Sequence, residues 1–235
     1  MCGMDIQGSW VVRGYFDLKA RDRRQTTTQE IRDALSRALG RRLEIAAYPV
    51  GPQWRHTFWW REGSVDYAEA QFMIRIDEDC PVLSLGVSIE KGLEGADADM
   101  RPPFERMDRA TWDWQRLIDR RADVLQTDVP EVASAVPRAV NLRVRAYQGA
   151  QLPLRESQTF SFADGQWFRR HTGPVEASDV AGHIAALDGR SDLWIDLYLA
   201  IDLDPGAADG MTPSDVAALL LHFEPVKRRL RASAV

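Results

Sequence analysis

Two groups of polar residues have the types and the spacing that chemistry requires. The first lies between Trp54 and Lys91, where a histidine and several carboxylates alternate with aromatic residues. The second lies between Asp192 and Asp204, where aspartates alternate with Trp194 and Tyr198. Carboxylates and histidine transfer protons, and aromatic walls with a few converging polar groups are typical of ligand pockets.

The first segment, 54–91, is predicted to form three consecutive antiparallel strands. We place one turn at Gly63-Ser64 and the next at residues 78–81. Side chains on directly opposed positions lie ~5 Å apart at Cβ. In this register Trp60 opposes Tyr67, and Glu69 opposes Glu90.

One face of this predicted sheet combines aromatic residues with carboxylates, and the opposite face is apolar and contains Trp59. The mixed face holds Trp54, His56, Phe58, Trp60, Tyr67, Glu69, Gln71, Met73, Arg75, Ser84, Ser88 and Glu90. Two opposed carboxylates repel, so one of them should have a raised pKa. The mixed face is therefore a candidate site for a ligand or a partner. The alternative is that a helix covers its aromatic end and that the carboxylates are ordinary surface groups.

The strand predicted over 192–204 alternates cleanly and places Trp194, Asp196 and Tyr198 on one side. Three interpretations remain open. Asp196 could pair with Arg143 or Arg145 on a neighbouring strand, or the face could bind a protein. A divalent metal site is the third, although alternate residues of one strand diverge unless a loop closes over them.

The sequence contains no recognisable catalytic or cofactor motif. Its four histidines (His56, His171, His183 and His222) do not have zinc-site spacing. It has no serine in a nucleophile elbow, no glycine-rich phosphate loop and no dinucleotide fingerprint. We therefore expect neither a cofactor nor a metal, and we favour a binding protein over an enzyme.

The periodicities predict an α+β fold of about nine mostly antiparallel strands and four main helices. A strand is expected over 9–18, and the basic run at 19–24 is interpreted as a loop. The helices are expected from an N-cap at Thr26–Thr28 to residue 39, and over 107–126, 176–187 and about 213–231, with Pro225 kinking or splitting the last.

Residues 127–139 contain two prolines and no clear periodicity, which favours a boundary between an N-terminal half, 1–126, and a C-terminal half, 127–235. One continuous domain is the alternative. A helix, a Gly-Arg pair and a strand follow one another both at 27–48 and at 176–198, so the halves could be related.

Composition narrows the class of protein. The chain has 235 residues, a net charge of −5 and two cysteines. The acidic balance disfavours nucleic-acid binding, because phosphate neutralisation supplies most of that affinity. The sparse cysteines favour a reducing compartment, and we see neither a signal peptide nor a membrane span, so a cytoplasmic location is expected.

Three hypotheses follow. The first is a non-catalytic cytoplasmic accessory protein that binds a partner, for example a basic protein, through its aromatic and acidic sheet faces. The second is a hydrolase on the 54–91 face, with Glu69, Glu90 and His56 as the catalytic groups. The third is a nucleic-acid-binding accessory module that uses tryptophan and arginine residues.

Overall fold

The protein is α+β with an antiparallel sheet, as the sequence predicts. The computed structural model describes residues 21–46, 57–62, 70–77, 82–91, 112–148 and 154–230. The strands are β1 (Leu43–Ala46), β2 (Thr57–Glu62), β3 (Gln71–Asp77), β4 (Val82–Lys91), β5 (Val140–Gln148), β6 (Leu154–Ala163), β7 (Gln166–Arg169), β8 (Gly173–Val175) and β9 (Leu193–Leu203). They form one sheet in the order β1-β2-β3-β4-β9-β5-β6-β7-β8.

The described residues contain more helical segments than the four predicted, because several are short. They are α1 (Arg21–Leu39), α2 (Trp112–Asp123), a π-helical turn (Val124–Asp128), α3 (Val129–Ala135), α4 (Ala177–Asp188), α5 (Pro205–Ala208), α6 (Pro213–Leu221) and α7 (Glu224–Leu230). The basic run predicted as a loop belongs to helix α1 from Arg21 onward, so that prediction is wrong there. Pro225 lies in the first turn of α7, where its missing N–H is tolerated, and the predicted split is observed.

Contacts divide the chain into two compact units. The first comprises Met1–Val65, Phe72–Gly86 and Ile201–His222, and the second comprises Asp66–Gln71, Val87–Ala200 and Phe223–Val235. Strands β4 and β9 contribute to both units. The predicted halves 1–126 and 127–235 stay a prediction.

In the first unit, α1 and the strand pair β1–β2 share a core. Ile31 and Leu35 of α1 are completely buried, and so is Trp60 of β2. The Trp60 indole Nε1 donates a hydrogen bond of 3.3 Å to the main-chain oxygen of Thr28 in α1. Gly40 ends the helix with a φ of 65°, a left-handed conformation that glycine adopts without a steric penalty.

The pairing of β2 with β3 corrects the predicted register. Trp60 lies opposite Phe72, five positions beyond the predicted Tyr67, and Phe58 lies opposite Ile74. An odd shift exchanges the two faces of a strand. Trp60 therefore shares a face with Phe72 and Ile74, which is the opposite of its predicted face, and the turn predicted at Gly63-Ser64 lies outside the described residues.

In the second unit, the segment predicted to be irregular after residue 126 is helical. The chain continues from α2 through the π-helical turn into α3. Pro130 lies within this run, where a proline cannot donate the usual i→i−4 hydrogen bond, which accounts for the locally widened turn. Asp128, at the end of that turn, accepts hydrogen bonds from Arg229 of α7 to both carboxylate oxygens, at 2.6 and 2.8 Å.

The remaining strands of the second unit follow their predicted order. Strands β6 and β7 form the predicted hairpin about Asp164-Gly165, whose φ angles of 52° and 78° are those of a tight hairpin turn. The short edge strand β8 was not predicted, and the strand expected over 9–18 lies outside the described residues. Both helix–Gly-Arg–strand units are present, but Gly189 has a right-handed φ of −69° where Gly40 is left-handed.

Candidate functional site

Neighbouring strands β4 and β9 bring the two polar groups of the sequence together. Ser84 Oγ of β4 donates a hydrogen bond of 2.7 Å to Asp202 Oδ1 of β9. Glu90 follows Ser84 by six residues along β4, and Asp196 precedes Asp202 by six residues along β9. These two carboxylates interact electrostatically, as an antiparallel pairing of the two strands requires.

Asp196 is enclosed by hydrogen-bond donors of its own strand. Trp194 Nε1 donates to Asp196 Oδ1 at 2.8 Å, and the Tyr198 hydroxyl donates to Asp196 Oδ2 at 3.1 Å. Residues two apart on a strand point to the same face, which explains this arrangement. All three side chains are buried, with Asp196 only 1% exposed. The interpretation of this face as a protein-binding surface stays a prediction.

Glu90 is the second carboxylate of the pair and differs from Asp196 in its surroundings. Burial raises the pKa of Glu90 well above its ordinary value of 4.5, and the negative charge of Asp196 raises it further. The residue as a whole is only partly buried, so part of it still borders solvent. The raised pKa expected for a Glu69–Glu90 pair is thus found on Glu90, with Asp196 as the neighbouring carboxylate.

Lys91 establishes which face of the sheet holds this pair. Its ammonium donates to the main-chain oxygens of Asp188 and Arg190, at 2.6 and 2.9 Å. Those carbonyls belong to the C-terminal end of α4, where a cation is favoured. Because adjacent strand residues point to opposite faces, Glu90 lies on the face turned away from α4.

The same reasoning places Arg143 and Arg145 on the face of the carboxylates. Phe160 of β6 contacts the His183 ring of α4, with ring centroids 5.4 Å apart, and Leu142 of β5 pairs with Phe160. Leu142 therefore faces α4, and its neighbour Arg143 faces away, as does Arg145. Strand β5 is next to β9 in the sheet. Both arginines have interactions within the protein, so a pairing with Asp196 remains open.

The structure describes only some of the other predicted site residues. Trp54, His56, Tyr67 and Glu69 lie outside the described residues. Trp60 is buried against α1, and the side chain of Phe58 lies outside the described part of the structure. Gln71 is 7% exposed, and its Oε1 atom has no hydrogen-bond partner in the part of the chain that the structure describes. Ser88 is 3% exposed, and Arg75 is partly buried.

The described residues do not form a metal site. No group of three or more histidine, cysteine, aspartate or glutamate side chains among them could hold an ion. The donors to Asp196 are an indole N–H and a phenol, which are groups that stabilise a carboxylate without a metal. The arrangement on β9 is therefore that of a hydrogen-bonded carboxylate.

The pairing of Glu90 with Asp196 is the feature that sequence reasoning missed. Both residues were identified as candidates, but on separate strands 106 positions apart in the chain. The clean alternation of β9 indicates its faces, yet nothing local indicates that β4 is its neighbour.

Comparisons of the chain with protein families, with curated proteins and with solved structures found no match. None of the described helices is long and apolar enough to cross a lipid bilayer.

Proposed function

We propose that the chain is a non-catalytic binding protein that recognises a positively charged group of its partner through Glu90 and Asp196. The observation that carries this proposal is a carboxylate pair flanked by Trp194 and Tyr198 on one sheet face. Carboxylates attract a cation electrostatically. A lysine or arginine side chain of a basic protein has this chemistry.

The partial exposure of Glu90 supports an approach from that end of the pair. Asp196 is closed off from solvent, whereas Glu90 still borders it. A cation that reaches Glu90 meets a group that is easily deprotonated by a nearby positive charge. The deeper Asp196 then adds its charge at short range, in surroundings that screen it less than water does.

Binding of arginine-rich, lysine-rich and glutamate-rich peptides of equal length tests this proposal. We expect the basic peptides to bind and the acidic peptide not to bind. Glu90→Gln should weaken the basic peptides about tenfold or more, because losing a close charge–charge contact at an interface costs upward of ~1.4 kcal/mol. Titration calorimetry at fixed ionic strength measures the affinities.

Asp192→Asn is the matched control, because it removes an exposed carboxylate that is paired with Arg190. Its affinity for the basic peptides should equal that of the wild type. Equal losses in both variants would mean that only the overall acidity of the chain attracts the peptides, and the proposed site would be abandoned.

A hydrolase is the second candidate, and the raised pKa of Glu90 favours it. A carboxyl group with a raised pKa beside an ionised one is the usual division between a general acid and its partner. His56 and Glu69, the other predicted catalytic groups, lie outside the described residues. Turnover of an ester or glycoside substrate that disappears in Glu90→Gln would establish this candidate in place of the first.

The remaining expectations complete the proposal. The two cysteines support a cytoplasmic location, and the net charge of −5 supports a protein partner over a nucleic acid. The helix–Gly-Arg–strand units support two related halves. Retention on heparin at low salt, lost steeply as salt rises, would favour the nucleic-acid alternative.

A further inference from the structure

We infer that Trp194 and Tyr198 are positioning residues that hold Asp196 ionised, so that the proton of the carboxylate pair resides on Glu90. These residues belong to the site of the proposed function, and a role of the proton in binding rests on that proposed function. The placement of the proton itself can be measured without any ligand.

The hydrogen bonds of Asp196 carry this assignment. An indole N–H only donates, so Asp196 Oδ1 must be an acceptor toward Trp194. A proton on Asp196 would therefore have to sit on Oδ2, which faces the Tyr198 hydroxyl at 3.1 Å. That hydroxyl would then have to turn its own hydrogen elsewhere. Two donors directed at one carboxylate favour its charged form.

Because the pair is buried, Glu90 and Asp196 are not both ionised at the same time. Two adjacent carboxylates that are both ionised and removed from water repel strongly, so one of them keeps a proton near neutral pH. Asp196 has a hydrogen-bond donor at each oxygen, which favours its charged form. The proton is therefore assigned to Glu90.

Three strands of the described part of the chain contribute charged or titratable groups to this face near the pair. Glu90 lies on β4, Asp196 and the titratable Tyr198 on β9, and Arg143 and Arg145 on the same face of β5. Lys91 points to the opposite face, toward α4. An arginine favours the ionised form of whichever carboxylate it approaches, so removing a donor to Asp196 isolates the contribution of that donor.

A cation bound at the pair would displace the proton of Glu90. Binding of a basic peptide would then release a proton to the buffer, and the apparent enthalpy of binding would depend on the ionisation enthalpy of the buffer. This consequence distinguishes recognition at the pair from attraction by the general acidity of the surface.

Carbon-13 NMR of protein labelled at its aspartate and glutamate carboxyl carbons tests the assignment. Glu90→Gln and Asp196→Asn identify the two resonances, and the exposed Asp192 is the internal reference for an ionised carboxylate. At neutral pH we expect the Glu90 carbon at the position of a protonated acid and the Asp196 carbon at that of a carboxylate. In Tyr198→Phe, the pH at which the Asp196 carbon moves should rise by about one pH unit, the effect of one lost hydrogen bond.

Trp194→Phe is the second variant and should shift Asp196 in the same direction. The assignment would be overturned by an ionised Glu90 beside a protonated Asp196 at neutral pH. It would also be overturned if both donor variants left the Asp196 titration unchanged. If the proton is found on Glu90 but no basic peptide binds, the assignment stands and the proposed function fails.

Discussion

Replacing Trp60 by alanine is expected to lower the free energy of unfolding by about 3–5 kcal/mol. Trp60 is 0% exposed, and its indole donates to Thr28 of α1. Alanine would therefore leave a large cavity between β2 and α1, in addition to the lost apolar burial. Denaturant unfolding at equilibrium, monitored by circular dichroism, measures the difference.

Trp60→Phe separates the two contributions, because phenylalanine keeps most of the apolar volume and cannot donate the hydrogen bond. Its cost should be smaller, about 1–2 kcal/mol. The predicted register, with Trp60 on the mixed face opposite Tyr67, implies little dependence of stability on its size. If the wild type and Trp60→Ala were equally stable, the result would contradict the observed register and favour the predicted one.

Replacing Arg229 by methionine is expected to lower the free energy of unfolding by about 2–3 kcal/mol, below the 3–5 typical of a fully buried pair. Asp128 accepts two hydrogen bonds from Arg229 and is 1% exposed. Without its partner, the carboxylate would remain buried with its charge uncompensated. The estimate is reduced because water reaches the Arg229 side chain, which is 33% exposed.

Arg228→Met is the matched control, because Arg228 precedes Arg229 on α7 and is exposed. It should change the free energy of unfolding by less than ~0.5 kcal/mol. The same denaturant titration measures both variants. If the two arginine variants lose the same amount, the effect comes from the helix or from net charge, and the Asp128 contact contributes nothing specific.

Local structure was predictable from the sequence where residues close together in the chain determine it. The Asp164-Gly165 hairpin follows from the positive φ angles that its turn requires. The alternation on β9, with Trp194, Asp196 and Tyr198 on one face, follows from the period of a strand. The helix break near Pro225 follows from the hydrogen bond that proline cannot make.

Register and pairing were not predictable in this way. The prediction that placed Trp60 opposite Tyr67 assumed the shortest turn between β2 and β3, and both registers leave a regular alternation of residues. Only contact with α1 distinguishes Trp60 as a core residue. The helix through Pro130 was missed for a related reason. Asp128 and Arg229 are 101 residues apart, so nothing near Pro130 indicates the contact that the π-helical turn makes.

The carboxylate pair of Glu90 and Asp196 was also not predictable, because strand pairing brings its members together. The sequence indicated that one carboxyl group of a Glu69–Glu90 pair should have a raised pKa, without indicating which one. It could not indicate that the carboxylate beside Glu90 is Asp196, because the neighbour of β4 in the sheet is a strand near the other end of the chain. Burial, which is the larger cause of the raised pKa, is a property of the folded protein alone.

The stability of the wild type and of Glu90→Gln as a function of pH tests the carboxylate pair most directly. Because the folded-state pKa of Glu90 is raised, the folded protein holds this proton at pH values where the unfolded chain has lost it. Its contribution to stability is complete below the ordinary value of 4.5 and is lost as pH rises toward the raised value. Glutamine carries no charge at any pH and avoids this loss.

We therefore predict that the free energy of unfolding of Glu90→Gln, relative to the wild type, increases as pH rises from the ordinary value of 4.5 toward the raised pKa of Glu90. A variant that is less stable than the wild type by the same amount across this range would contradict the account. That result would mean that Glu90 is ionised and paired with a cation in the folded protein, and that it shares no proton with Asp196.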